Sequence, residues 1–450
     1  MNTHSLCQSL AAGLATFVIV GLVNDAAALT LDQAISRGLE NSPKLQIAAS
    51  QASEARSKTS EAFAGHLPTV AAGATYLTSK NYLLTDVVFG GNPVTIPQII
   101  PTSNFTLTAT LPIFDGFATM NRLQSASHFE DAARLDLDWT KFQIEREITM
   151  YYFRAVAAKA LKTVAEQNVK TFEDHLKDVS AFKKSGLSTN YDVLRVEVQL
   201  SEARSELLNS NDNVVLAKGR LAEAMGVDDV DDVTGELPQP LVARAEKIAL
   251  SNLQTRMDLR AMSEKSAAYQ DLEDAAGRHW IPRVSLFGQY NYYNNRNDEF
   301  AAWDKYRDGY QVGIALNWNL FDGLASQSRA RQSVELRTRA DKSLTMARLH
   351  AKQDLDVWTR KLQYFSSVYK SKISDIDRSK ESVRLAREGR RVGVRTNTEL
   401  LDAEIDLFRS QAGAVNAQLG ALEAKISLEL AAGQRVGDVA QNSKTGAEGK

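Results

Sequence analysis

Few side chains in this sequence are spaced for chemistry. Glu399 and Asp402 stand three apart, so on a helix they share one face, with Arg395 one turn before them. Asp192, 207 positions before Glu399, carries the same kind of charge. Carboxylates crowded together raise some of one another's pKa values and favour capture of cations. The plainer reading of the same acids is that they favour a helix N-terminus. The histidines at 66, 128, 175, 279 and 350 are far apart and read as surface or interface residues. No HExxH helix, Walker loop or nucleophile elbow is present, so no catalytic residue is assigned and the chain reads as a non-enzyme. A single cysteine supplies neither a disulfide framework nor a Cys-rich zinc site, and no cofactor or metal is expected.

The elements that carry these acids are unusual. In 450 residues there are only nine prolines, and neither Gly nor Pro occurs from Phe117 to Ser185 or from Leu324 to Glu388. Those two stretches are where a very long helix is permitted, each reaching roughly 100 Å at 1.5 Å per residue. With 53 basic and 55 acidic side chains the chain lacks the basic excess of a nucleic-acid binder, and 44% hydrophobic residues argue against disorder. A mean hydropathy of −0.29 excludes a helical multi-span membrane protein, yet leaves room for a β-barrel, whose strands are apolar at every second residue. Leu10 to Val23 is an uncharged apolar run followed by Ala26-Ala27-Ala28, which reads as a secretory signal peptide over residues 1–28. Cys7 precedes the apolar run and would leave with it.

The chain is written twice. Leu67-Pro68-Thr69-Val70 returns as Ile281-Pro282-Arg283-Val284, and Phe114-Asp115-Gly116 as Phe321-Asp322-Gly323. The first pair is 214 apart and the second 207, and Gly186 to Gly226 matches Gly393 to Gly433 again at 207, with Leu194/Leu401 and Glu197/Glu404 among the identities. The expected organisation is repeat 1 over 29–226, a linker over 227–242, repeat 2 over 243–433, and a disordered tail over 434–450. Each repeat reads helix, strand, loop, strand, long helical hairpin, with the hairpins at 116–226 and 323–433. Strands are expected at about 68–80, 103–114, 282–294 and 308–321, where apolar and polar residues alternate. Between the first two lies a segment with Gly90, Gly91, Pro93, Pro97 and Pro101, read as a loop. Two readings compete for the strands: a half-buried soluble sheet, or a lipid-facing barrel wall with Tyr290, Tyr292, Tyr293, Trp303, Tyr306 and Tyr310 marking an interface. Four strands alone cannot close a barrel in lipid, so the second reading requires several copies of the chain.

From Val193 the apolar positions Val196, Leu200, Ala203, Leu207, Val214, Ala217, Leu221 and Met225 step by three and four around a skipped Ser210. Such a period implies left-handed coiled packing. Turns at 186–190 and 393–397 fold each pair of helices into an antiparallel hairpin. A coiled-coil scaffold or tether in the periplasm, without a pore, would explain the rods but leaves the strands and the doubling unexplained.

Taken together the pattern resembles the TolC family of outer-membrane efflux and secretion ducts. The most specific piece is Val392-Gly393-Val394-Arg395-Thr396-Asn397-Thr398-Glu399-Leu400-Leu401-Asp402-Ala403-Glu404, similar to the family's VGxRTxxDLLDAE tip. Leu29-Thr30-Leu31-Asp32-Gln33-Ala34, followed by Asn41-Ser42-Pro43, resembles the family's mature N-terminal stretch, and Pro68, Pro112 and Pro282 match its strand–helix junctions. Asn319 departs from that pattern where a fourth proline is expected. The resemblance implies a mostly α chain whose α-helical barrel joins a twelve-stranded membrane β-barrel completed by a homotrimer in outer-membrane lipid. It also implies docking to a periplasmic adaptor (membrane fusion) protein coupled to an inner-membrane pump or ABC transporter. The implied docking surface is Gly186, Leu187, Ser188, Thr189, Gly393, Val394, Arg395 and Thr396. The implied gate is Glu399, Asp402, Asp192 and Arg395, where Arg395 ties closed neighbours until docking releases it.

Overall fold

A computed structural model describes residues 29–78, 84–97, 101–240, 253–295 and 303–435. The expected leader over 1–28 lies outside the described residues, as do the end of the linker, the start of repeat 2 and all of the tail beyond Arg435.

The chain opens with α1 (Leu31–Asn41), whose first turn is closed by a reciprocal pair of bonds: Gln33 N donates to Thr30 Oγ1 at 3.4 Å and Thr30 N to Gln33 Oε1 at 3.1 Å. Pro43 then starts α2 (Pro43–Ala64), a position where its missing N–H costs nothing. Strands β1 (Thr69–Tyr76) and β4 (Ser103–Phe114) flank a small ribbon, β2 (Leu84–Phe89) and β3 (Asn92–Pro97). The segment expected as a loop is therefore in part a hairpin: Gly90 and Gly91 take φ of 55° and 85°, which lets two residues reverse the chain.

Helices α3 (Ala118–Lys184) and α4 (Asn190–Met225) form the first hairpin. After α5 (Met257–Gly277), β5 (Arg283–Asn294) and β6 (Arg307–Asn317) complete the strands, and α6 (Ala325–Arg391) and α7 (Asn397–Ala432) form the second hairpin. Each bound of α6 and α7 lies 207 residues beyond its counterpart in α3 and α4. The recurring Phe-Asp-Gly is the strand-to-helix corner. Gly116 and Phe117, like Gly323 and Leu324, are left-handed, and the aspartate accepts from the new helix: Thr119 N to Asp115 Oδ2 at 2.8 Å and Ser326 N to Asp322 Oδ2 at 3.0 Å. A left-handed Phe and Leu are strained, so the capping aspartate offsets a local cost.

The main sheet is antiparallel with order β1-β4-β5-β6, so the two halves of the chain join at the β4–β5 ladder, and among the described residues one edge each of β1 and β6 carries no strand. Tyr310, Val312, Ile314 and Leu316 of β6 alternate outward and are all more than 60% exposed. β6 stops at Asn317, short of the expected 321. Its partner begins at Arg283, opposite Asn317, and the preceding Pro282 has no N–H to extend the ladder. β4 instead runs to Phe114 over a register shift between Pro112 and Phe114. Tyr292, Trp303 and Tyr306 stack at the tip of the sheet, with ring centroids 4.9 Å apart for Tyr292–Tyr306 and 5.3 Å for Trp303–Tyr306.

The largest core lies halfway along α3. Ile144, Ile148, Tyr152 and Val156 pack there against Ala34 of α1 and Leu221, Ala222 and Met225 of α4. Leu29 and Val233 pair as a short parallel bridge, and Tyr152 OH donates to the Leu29 carbonyl at 3.0 Å. The segment that leads into α1 and the one that leaves the first hairpin are thus fastened to the waist of the rods.

Candidate functional site

The two hairpin turns lie at the ends of α3–α4 and α6–α7 away from the sheet. Both reverse through a left-handed glycine, Gly186 at φ 75° and Gly393 at φ 82°, with Leu187 N bonding back to Phe182 O at 2.9 Å and Val394 N to Gly389 O at 2.8 Å. Each turn holds apolar surface in solvent: Leu187 is 76% exposed on one, and Val392 and Val394 are 73% and 79% exposed on the other. Leu187, Ser188 and Thr189 on one tip and Val394, Arg395 and Thr396 on the other therefore form two small knobs, each apolar at the crest and polar at the base.

The acids split into two environments. Asp192 and Glu399 each close a capping box. Thr189 N donates to Asp192 Oδ2 at 2.9 Å, and Thr396 N to Glu399 Oε2 at 2.8 Å. Arg395 Nη1 adds a bond to Glu399 Oε1 at 2.9 Å. Both carboxyls are held below their ordinary range, Asp192 chiefly by the Thr189 hydroxyl and Glu399 chiefly by the Thr396 N–H with help from Arg395. Within one chain each of these acids has its own donors, and the crowding expected to raise such values is that between the tips of different chains. Asp402, one turn on, is exposed, and Arg195 of α4 approaches it at 3.9 Å while donating to Thr398 Oγ1 at 3.1 Å. The structure thus brings Arg395 to Glu399, sets Asp402 beside Arg195, and keeps Asp192 on the other tip.

Three further polar groups join the hairpins, all missed by the sequence reading because their partners are more than 200 residues apart. Arg146 Nη1 meets Glu429 Oε2 at 2.7 Å in the interior, and Arg154 Nε meets Glu423 Oε1 at 2.5 Å. His175 is buried between Glu404 and Asn397, at the interface of the two hairpins and not at the outer surface, the other place its isolation in sequence allowed. One signal was available: the repeat places Ser382 where His175 stands and Ala222 where Glu429 stands, so these side chains belong to one copy only. Among the described residues no group of His, Cys, Asp and Glu is arranged to hold a metal ion, and no helix is long and apolar enough to cross a membrane.

Long antiparallel hairpins joined end-on to a short antiparallel sheet with open edges define the architecture of the outer-membrane channel proteins. The sequence profile of the outer membrane efflux proteins matches residues 34–227 and 250–434, and the chain belongs to that family. Membership implies an outer-membrane location. It is 24% identical to the outer membrane protein TolC of Vibrio cholerae over 202 residues, which span 44% of each chain. To the outer membrane efflux protein BepC of Brucella suis it is 24% identical over 370 residues, 75% of each chain. The crystal structure of the outer membrane protein VceC from Vibrio cholerae superposes with a TM-score of 0.74 at 18% identity, covering 90% of this chain and 96% of that one.

Proposed function

We propose that three copies of this chain close into a homotrimeric channel-tunnel, the exit duct of a tripartite efflux pump or a type I secretion system. Each copy contributes β1, β4, β5 and β6 to a twelve-stranded barrel in outer-membrane lipid, and the hairpins continue the duct into the periplasm. The observation that carries this reading is the pair of strand edges without a partner beside an outward apolar face, since no open edge is stable in lipid. A second apolar stripe supports it. Tyr191, Leu194, Val198, Leu208 and Val215 lie along α4 at heptad-like spacing, all more than half exposed, on the face turned away from α3. The two knobs at Gly186–Thr189 and Gly393–Thr396 dock a periplasmic adaptor, behind which an inner-membrane pump or ABC transporter supplies energy.

The gate is the ring made where three second-repeat tips converge. There Glu399, Asp402 and, from the other tip, Asp192 line the mouth, and Arg395 holds Glu399. Support comes from the exposure of Asp402 and from the Arg395–Glu399 pair, which lies at the surface where a docking partner can compete for it. The test uses the purified full chain. It should fractionate with the outer membrane as a heat-sensitive oligomer and conduct ions in planar bilayers. Glu399→Ala with Asp402→Ala should raise single-channel conductance and reduce block by divalent cations. A soluble monomer, or an oligomer that never conducts, leaves the scaffold reading in its place. Unchanged conductance and block in the double variant remove the gate assignment alone.

A further inference from the structure

About three turns from the first tip, one imidazole sits where three helices meet. His175 of α3 is 4% exposed, with Nδ1 2.7 Å from Glu404 Oε2 and Nε2 2.8 Å from Asn397 Oδ1, both on α7. Nε2 is also 2.9 Å from Nη1 of Arg390, on α6. Glu404 and Asn397 are themselves buried, and Arg387 of α6 reaches the second oxygen of Glu404 at 3.3 Å. The histidine therefore belongs to the first hairpin while all its partners belong to the second.

These contacts cannot all be satisfied at once. A guanidinium only donates, so the bond from Arg390 needs a lone pair on Nε2 and hence a neutral ring with its proton on Nδ1, facing Glu404. In that state the Asn397 carbonyl oxygen opposes the same lone pair. Its amide nitrogen, which is buried with no partner, satisfies Nε2 once the amide turns over. A doubly protonated ring reverses the preference. Nε2–H then donates to Asn397 Oδ1 and repels Arg390, while Nδ1–H keeps Glu404. The ring thus selects between two arrangements according to one proton, and histidine is the side chain that changes charge between about pH 5 and 8.

The surrounding charges bear on which arrangement wins. Arg390 faces Asp178 of α3, Asp192 of α4 and Glu404 of α7, and burial pushes its guanidinium below the ordinary range against the pull of those acids. Lys170 and Asp174 of α3 and Arg391 of α6 line a groove of about 620 Å³ that opens onto the cluster, giving water a path to His175 and Arg390 a place to move. Arg390 also rests over the Phe182 ring at 5.2 Å, so its present position fastens α6 to the last turns of α3.

We propose that His175 is a proton-operated latch between the two helical hairpins. Neutral, it holds Arg390 against α3; protonated, it turns to Asn397 and lets Arg390 go, loosening the second tip as the surroundings acidify. The latch bears on gating only if the chain is the duct proposed above, so its test includes a readout independent of conduction. Backbone hydrogen exchange is followed on the detergent-purified full chain at pH 5 and 8, corrected for intrinsic rates. Protection of the amides at 392–400 should fall by about five- to tenfold on acidification, and His175→Gln and Arg390→Gln should each flatten that response. A wild-type chain without the transition overturns the latch, as does a folded His175→Gln chain that keeps it. If His175→Gln does not fold, a full transition in Arg390→Gln overturns it equally. In bilayers the same pH step should appear in conductance. An exchange transition in a chain that never conducts sinks the duct and leaves the latch standing.

Discussion

Helices α4 and α7 are equal in length, begin with the same Thr-capped box and end on the same left-handed glycine, yet α4 buries eight residues and α7 seventeen. The difference lies in their neighbours. α7 packs against α6 along its length and against α3 across the gap between hairpins, whereas α4 lies along α3 and touches α1 and α7 only locally. Identical side chains therefore meet different fates. Leu401 is 1% exposed and Leu194, its counterpart, 52%; Glu404 is buried and Glu197 exposed. A duplicated unit has been used once as an inner strut and once as an outer one. The outer copy keeps an apolar stripe that this chain alone does not cover.

The sharpest way to break that comparison is the buried ion pair. Replacing Glu429 with Ala leaves the buried Arg146 only the more distant Glu145, 4.0 Å away, and should cost about 3–5 kcal/mol, read as loss of folded protein in thermal melts of the purified chain. The counterpart of Arg146 is the exposed Gln353, and Gln353→Ala should stay within about 0.5 kcal/mol. Equal losses at the two sites would deny that α3 meets α7 in the interior while α6 stays outside. Next, Leu401→Ala should cost about 2–5 kcal/mol by leaving a cavity. Leu194→Ala should leave the fold of each chain intact and instead lower the temperature at which the oligomer dissociates on gels. Should both behave alike, the exposed stripe on α4 has no partner.

The smallest effect expected is at the caps, where the two hairpins are alike. Thr189→Ala and Thr396→Ala should each cost about 1 kcal/mol, seen as faster exchange of the first helical turn. Asp192 and Glu399 are held below their ordinary values of 3.8 and 4.5. Their stabilisation is complete above those values and is lost as pH falls through the lowered ones. Fraying of the first tip that begins at pH 6 would contradict this, and since the proposed His175 response is confined to 392–400, the first tip separates cap titration from it.

Much of the scaffold was legible from residue order. Alternating Tyr310, Val312, Ile314 and Leu316 announce a strand because period two places them on one face, and the long runs without Gly or Pro announce the rods. The seam from Val193 to Met225 is buried or half-buried at every named position, and even the skipped Ser210 is buried, since helix geometry and not residue type decides which face turns inward. The acids at the tips were legible as a pair of possibilities, and the capping geometry of Asp192 and Glu399 answers to the plainer one within a single chain. The β2–β3 ribbon was hidden because proline and glycine mark loops and hairpin turns equally. His175, Arg390 and Asn397 were invisible as a group, because nothing local ties residues on three helices together.

Local order alone, then, determined the periods: which segments are strands, which are rods, where each turn falls, and that one pattern is used twice. Those follow from steric and hydrogen-bonding rules acting over a few residues. Only the tertiary structure decided which helix of each copy lies inside, which carboxylates meet an arginine, and where a histidine is buried. Such choices depend on contacts between segments two hundred residues apart, where the energy of a charge or a leucine is set by what surrounds it.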